Sequence, residues 1–152
     1  MRIILISANG SGAGKTTLAN LFNSPIVSLA DGVRDELVKV YPQCKHVIMS
    51  KRQEDKAVIL PSGFSVRREL IELAEKINKE NETHWCQLTG KAISKLSSDT
   101  VVIDDVRRLT EIGYFRLFYD NVIHFHLRCD SAMDEGRVSL AEYADYIINK
   151  NK

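Results

Sequence analysis

The sequence predicts a three-layer α/β/α sandwich built on a mainly parallel five-stranded sheet, and three observations lead there. Short apolar runs alternate with segments whose apolar residues recur at helical spacing. The runs are apolar on both faces, as strands covered from both sides must be. Strand, helix, strand in repetition calls for right-handed crossovers, and these make neighbouring strands parallel.

Taken in order, Met1 to Ser7 is apolar except at Arg2 and reads as the first strand. A glycine-rich turn follows, then Lys15 to Phe22 with Leu18, Leu21 and Phe22 at helical spacing. Ile26 to Leu29 reads as a second buried strand. Asp31 suits the start of the next helix, which carries Val33, Leu37, Val38 and Tyr41 and is closed by Pro42, because a proline drives the residue before it out of helical geometry. Gln43 to Gly63 has no clear period, holds the charged patch Lys51, Arg52, Glu54, Asp55 and Lys56 and the breaker Pro61-Ser62-Gly63, and is expected to be a mobile or irregular insertion. Ser65 to Lys79 places Val66, Leu70, Leu73, Ala74 and Ile77 on one helical stripe. Glu82 to Leu96 is a further helix. Thr100 to Asp104 is a strand ending in two aspartates, Leu109 to Tyr119 a helix, Val122 to Leu127 a strand, and Asp145 to Asn149 supplies the last one.

A chain of 152 residues suits one domain, 1–152, and no composition shift or repeat divides it. Apolar runs such as Ile3 to Ile6 are far shorter than the roughly 20 residues that span a bilayer, so no membrane partner is expected. The N-terminus lacks a secretory pattern, which makes the cytoplasm the expected location. A net charge of +1 supplies no field to attract nucleic acid, so any affinity for phosphate must be local. Cys44, Cys86 and Cys129 are odd in number and lack CxxC spacing, which favours reduced packing thiols. His124 and His126 alternate along one strand and face one side; with no third ligand nearby in sequence, packing or exposure is preferred to a metal site.

The chemistry is carried by Asn9-Gly10-Ser11-Gly12-Ala13-Gly14-Lys15-Thr16-Thr17, between the first strand and the first helix. This is the context a phosphate-binding loop requires. Its backbone N–H groups would turn inward around a β-phosphate, Lys15 would bridge the β- and γ-phosphates, and the Thr16 hydroxyl would ligate Mg²⁺. The pattern departs from G-x-x-x-x-G-K-[ST] at Asn9, and asparagine's tolerance of left-handed backbone angles keeps the turn feasible. A glycine-rich turn that binds nothing is the plain alternative.

A carboxylate at the tip of another core strand would serve the Mg²⁺ shell, and Asp104 or Asp105 after Val101-Val102-Ile103 fits; strand-end caps are the alternative. Arg107 and Arg108 follow at once, and guanidinium beside carboxylate suits phosphoryl transfer between two anions. A GTPase would carry Asn-Lys-x-Asp on a late strand, whereas Asn149-Lys150-Asn151-Lys152 lacks the aspartate.

These pieces resemble the phage-type deoxynucleoside monophosphate kinases within the adenylate-kinase-like group of P-loop kinases. The likeness covers most of the chain: the loop Asn9 to Thr17, Leu29-Ala30-Asp31-Gly32-Val33-Arg34, Ser65-Val66-Arg67-Arg68-Glu69-Leu70, Asp105-Val106-Arg107-Arg108-Leu109-Thr110-Glu111 and, less closely, His84-Trp85. The resemblance implies a P-loop nucleoside monophosphate kinase using ATP and Mg²⁺, with Lys15, Arg107 and Asp105 catalytic and Thr16 and Asp105 toward the metal. It further implies acceptor binding by Asp31, Arg34, Arg67, Trp85, Arg107 and Glu111, with Glu111 orienting Arg107 or meeting the acceptor sugar or base, and Arg128 near the ATP base. Each has a plainer reading: Arg34 and Arg67 as solvated helix faces, Trp85 as a core anchor. Members often carry an arginine-bearing lid; here Cys129 to Leu140, with Arg137 its sole arginine, leaves a reduced one. The nearest rivals are a P-loop kinase of another phosphorylated small molecule or of a nucleic-acid end, and a nucleotide-binding regulatory module without turnover. A homodimer is compatible with the sequence.

Overall fold

The computed structural model describes residues 1–10, 13–129 and 139–150. Its elements are β1 (Arg2–Ala8), α1 (Lys15–Leu21), β2 (Ile26–Val27), α2 (Leu29–Val40), α3 (Lys45–Met49), α4 (Gln53–Lys56), α5 (Val66–Glu80), α6 (His84–Ser94), β3 (Thr100–Ile103), α7 (Leu109–Phe118), β4 (Asn121–Cys129) and β5 (Tyr146–Lys150), with short 3₁₀ turns at Pro42–Cys44 and Leu140–Tyr143. The chain divides into two units, Met1–Ser28 with Gly90–Lys152, and Leu29–Thr89 inserted between β2 and β3; the second boundary falls inside α6. No helix of the described residues is long and apolar enough to cross a membrane.

The first unit is the α/β part, with a five-stranded sheet in the order β2-β3-β1-β4-β5, every neighbouring pair parallel. At its centre, Ile3 of β1 stands beside Val101 of β3 and Val122 of β4. Ile3, Ile4, Leu5 and Ile6 are all buried, as an apolar run without alternation predicts. Ile4 and Ile6 pack with Ala19 of α1, so Ile3, Leu5 and Ser7 project to the opposite face. Each such side chain contributes about 1.5–3 kcal/mol on leaving water, which makes β1 the main anchor of the unit. The chain leaves β1 toward β2 on one side and leaves β3 toward β4 on the other, although β1 and β3 are neighbours. The exits of two adjacent strands that diverge in this way form the crevice where open α/β sheets bind ligands.

Two boundaries differ from expectation. β2 is only Ile26–Val27, and Leu29 already opens α2. In α1 the expected Leu21 is 76% exposed and Ala19 is the buried contact, because residues two apart lie about 200° around a helix and cannot both face the sheet.

The second unit is helical. Ser65 caps α5, its Oγ accepting from the Arg68 N–H at 3.2 Å, and Val66 is fully buried with Leu37, Ile48 and Leu60. The irregular insertion expected over Gln43 to Gly63 is instead folded: a 3₁₀ turn, α3, α4 and an antiparallel bridge between Ile59 and Ser65. Helices of four and five residues are too short to print a 3.6-residue period, yet Ile48 and Leu60, 0% and 3% exposed, tie the segment to the core. Gly32 allows α2 to approach α6: a Cβ there would lie 3.2 Å from Leu88 Cδ1 and 3.4 Å from Trp85 Cε3.

Candidate active site

The candidate loop leaves β1 at Ala8. Ser11 and Gly12 lie outside the described residues, as does 130–138 with Arg137. Gly14 stands at φ 96°, a left-handed angle that favours glycine, and caps α1, with its carbonyl accepting from the Leu18 N–H at 2.9 Å. Asn9 does not need the left-handed tolerance expected of it, since among described non-glycine residues only Asn23 has positive φ. Its side chain acts instead as a surrogate peptide: Nδ2 donates to the Cys129 carbonyl at 3.2 Å, and Oδ1 accepts from the Cys129 N–H at 2.8 Å. The Asn9 N–H donates to the Leu127 carbonyl at 3.2 Å, so the β1–β4 ladder runs on into the loop.

Lys15 opens α1 half-buried, with Ala13 buried before it and Thr16 and Thr17 exposed after it. Opposite, the segment after β3 stays on β1 through a hydrogen bond from the Val106 N–H to the Ile6 carbonyl, 3.2 Å. That contact holds Asp104 and Asp105 at the strand exits. The Ser28 hydroxyl, just past β2, donates to Asp104 Oδ1 at 2.7 Å. Burial holds the Lys15 ammonium below its usual pKa and Arg107 pushes the same way, while Asp105 and Asp104 pull it back up. Four sequence-predicted charges therefore meet in one field.

Arg107 and Arg108 are exposed, and Glu111 fixes the turn that carries them. Its Oε2 accepts from both backbone N–H groups, at 2.8 Å from Arg107 and 3.0 Å from Arg108, and so caps α7. Burial raises the Glu111 pKa, with the two amide bonds and Arg108 opposing it and Asp105 adding to it. Glu111 thus acts on Arg107 through the backbone; the resemblance implied that it would orient Arg107 or meet the acceptor sugar or base. Arg128 is exposed near the end of β4.

In the helical unit, Arg34 is 7% exposed on α2. Its Nη1 donates to Asp31 Oδ1 at 3.2 Å, and its Nε is buried without a partner among the described residues. Lys51 Nζ approaches the same Asp31 oxygen at 3.9 Å. A buried guanidinium with an unmade hydrogen bond is costly. The plainer reading of Arg34 as a solvated helix face is therefore wrong. Arg67 is exposed and donates through Nη2 to Gln53 Oε1 at 2.6 Å. Trp85 is 5% exposed and its Nε1 donates to the Ala74 carbonyl at 3.2 Å, the geometry of a core anchor.

One cluster escaped sequence reasoning. Ser7 Oγ lies 2.7 Å from His124 Nε2 and 2.8 Å from His126 Nδ1, all three buried on the face opposite α1. The available signal was a hydroxyl at the end of an apolar strand and two imidazoles at alternate positions of another, but only the register joins them.

The donor set fits the groups the loop motif implies. Thr16 and the two aspartates offer hydroxyl and carboxylate oxygens, the hard donors Mg²⁺ takes, and no group of three His, Cys, Asp or Glu among the described residues forms a tighter cage. The left-handed Gly14 and the cationic Lys15 fit a phosphate chain.

No protein-family model matches this sequence, and no curated protein does. Among solved structures, the crystal structure of TT1252 from Thermus thermophilus is similar at a TM-score of 0.55 and 16% identity, over 99% of this chain and 89% of that one. A dephospho-CoA kinase from Campylobacter jejuni matches at 0.43 and 12%, over 99% and 88%, and a shikimate kinase from Bacteroides thetaiotaomicron at 0.38 and 12%, over 97% and 86%. The first likeness is one of fold: this chain has the parallel five-stranded α/β architecture with its loop at the diverging strand exits.

Proposed function

We propose that the protein is a P-loop kinase that transfers the γ-phosphate of ATP to a (deoxy)nucleoside monophosphate. The observation that carries this is the meeting of Lys15 with Asp105, Asp104 and Arg107 at the neighbouring exits of β1 and β3. An oxygen of the acceptor phosphate attacks the γ-phosphorus, the bond from that phosphorus to the bridging oxygen of ADP breaks, and ADP departs with the electron pair. The attacking oxygen is already anionic near neutral pH, so no strong general base is needed and catalysis consists of positioning and charge neutralisation.

In this reading the described loop residues Asn9, Gly10, Ala13 and Gly14 cradle the phosphates, and Lys15 neutralises the β- and γ-oxygens. Mg²⁺, when bound, screens the phosphate charge, with Thr16 and Asp105 as the residues that would hold it. Asp104, engaged by Ser28, supports the same field. Glu111 holds the backbone turn from which Arg107 reaches the transferred group. Arg34 takes the acceptor phosphate, which would supply the anion its buried Nε lacks. Arg67 adds a weaker contact from the exposed face of α5.

The test is ADP release and product chromatography with MgATP over ribo- and deoxynucleoside monophosphates. Selective conversion of one or a few monophosphates to diphosphates is expected. Flat rates across that panel, with turnover of another phosphorylated metabolite or a nucleic-acid 5′ end, would move the acceptor class. ATP binding without product from any acceptor would leave a regulatory module.

A further inference from the structure

We infer that Asn9 is a positioning residue for the nucleotide, and that the consensus glycine at its place would make a worse loop. The inference rests on the nucleotide-binding reading of the loop. If the asparagine were only a tolerated replacement, its backbone would need the left-handed angle a glycine supplies, and it does not. Its side chain carries instead a complete peptide-like pair, one donor and one acceptor, both turned onto the backbone of Cys129. Glycine has no group to replace either bond.

The placement is what gives the pair its consequence. Ala8 is the last residue of β1 in register with β4, opposite Leu127, and the loop begins at the next residue. The Asn9 side chain carries the pairing on to Cys129, two residues of β4 beyond Leu127. At the other end Gly14 is held by its own cap geometry and by Leu18. A loop pinned at both ends has less freedom to lose when phosphate binds, and the ordering cost saved appears as affinity.

The experiment compares the full-length wild type with Asn9→Gly and Asn9→Asp, measuring MgATP affinity by calorimetry, ligand-free thermal midpoint, and exchange of the Cys129 amide by ¹⁵N NMR. Asn9→Gly is expected to bind MgATP about two- to tenfold more weakly, the worth of one to two ordinary hydrogen bonds. Its Cys129 amide should exchange faster, while the midpoint stays within a few degrees. Asn9→Asp keeps the acceptor for the Cys129 N–H, so that amide should stay protected, but it loses the donor and brings a negative charge toward the phosphates. Its affinity should fall further and more steeply at low salt. Unchanged or tighter MgATP binding in Asn9→Gly would overturn the inference, as would a loss of affinity that only tracks a large fall in midpoint. If Asn9→Gly does not fold, Asn9→Asp decides: wild-type affinity in that variant rejects the positioning role. A wild type that binds no MgATP would instead refute the nucleotide reading itself.

Discussion

Burial holds the Lys15 pKa below its usual value and Arg107 adds to that, while Asp105 and Asp104 oppose it. A lysine half-buried at the strand exits, its pKa pulled both ways by neighbouring charges, is a candidate for a functional role. Lys15→Met should therefore lower the rate of phosphoryl transfer by about 10³-fold or more, roughly 4 kcal/mol of transition-state stabilisation, in a steady-state coupled assay. The same substitution should leave the thermal midpoint unchanged or raised. Near wild-type turnover would sink the mechanism. Arg34 follows the same logic in the helical unit. Arg34→Met removes an orphaned buried donor while Asp31 keeps Lys51 as a neighbour, so stability should hold or rise, by up to about 1 kcal/mol. Its kcat/KM for the acceptor should fall about 100-fold or more with MgATP affinity unchanged, read by kinetics and calorimetry. A loss of ATP affinity instead would assign Arg34 to the wrong substrate.

Between β1 and β4, Ser7 has one proton to give and two imidazoles to satisfy, so it donates to one ring and accepts from the other. His124 Nδ1 lies 3.4 Å from the Tyr143 carbonyl, which suits an Nδ1–H and leaves Nε2 as the acceptor of the Ser7 proton. Ser7→Ala removes both of these buried hydrogen bonds and should cost about 1–3 kcal/mol in denaturant unfolding. Burial lowers the His124 pKa, with Arg116 and His126 adding to the effect and the Tyr143 carbonyl and Asp145 opposing it. The sign follows: a histidine whose folded pKa lies below its unfolded value of about 6.5 binds its proton more readily when unfolded. Stability should be full above that value and decline as pH falls through it toward the folded pKa. Midpoints measured between pH 8 and 5 should show the decline, and His124→Gln should flatten it; an unaltered slope would assign the loss to other groups. The insertion between α2 and α5 is tested through packing. Ile48→Ala or Leu60→Ala should cost about 2–5 kcal/mol, whereas a loose surface segment would lose almost nothing.

The division into an α/β unit and an inserted helical unit separates the proposed tasks: nucleotide phosphates at the strand exits of the first, acceptor phosphate at Arg34 of the second. Little of that division is legible in the chain. Residues 29–89 show no linker composition at either end, and the second boundary lies within α6, so neither a turn signal nor a hydropathy shift marks it. The parallel sheet, by contrast, is written plainly in Ile3 to Ile6, Val101 to Ile103 and Val122 to Leu127, because burial on both faces forces continuous apolar runs. Among the site residues, Lys15 and Asp105 were legible from their positions after strands. That Glu111 orients Arg107 was implied by the resemblance, but that it does so by capping was not legible, because capping depends on backbone geometry at Arg107 and Arg108.

By itself the sequence determined the α/β class, the order of the strands along the chain and the loop that carries Lys15, since apolar periodicity and glycine placement are local properties. Only the tertiary structure decided that Asn9 is a clamp, that Arg34 is buried with an unmade bond, that Ser7 joins two histidines, and that 43–63 is folded. Each of these depends on which distant residue stands opposite. Register and packing, not spacing along the chain, choose that partner.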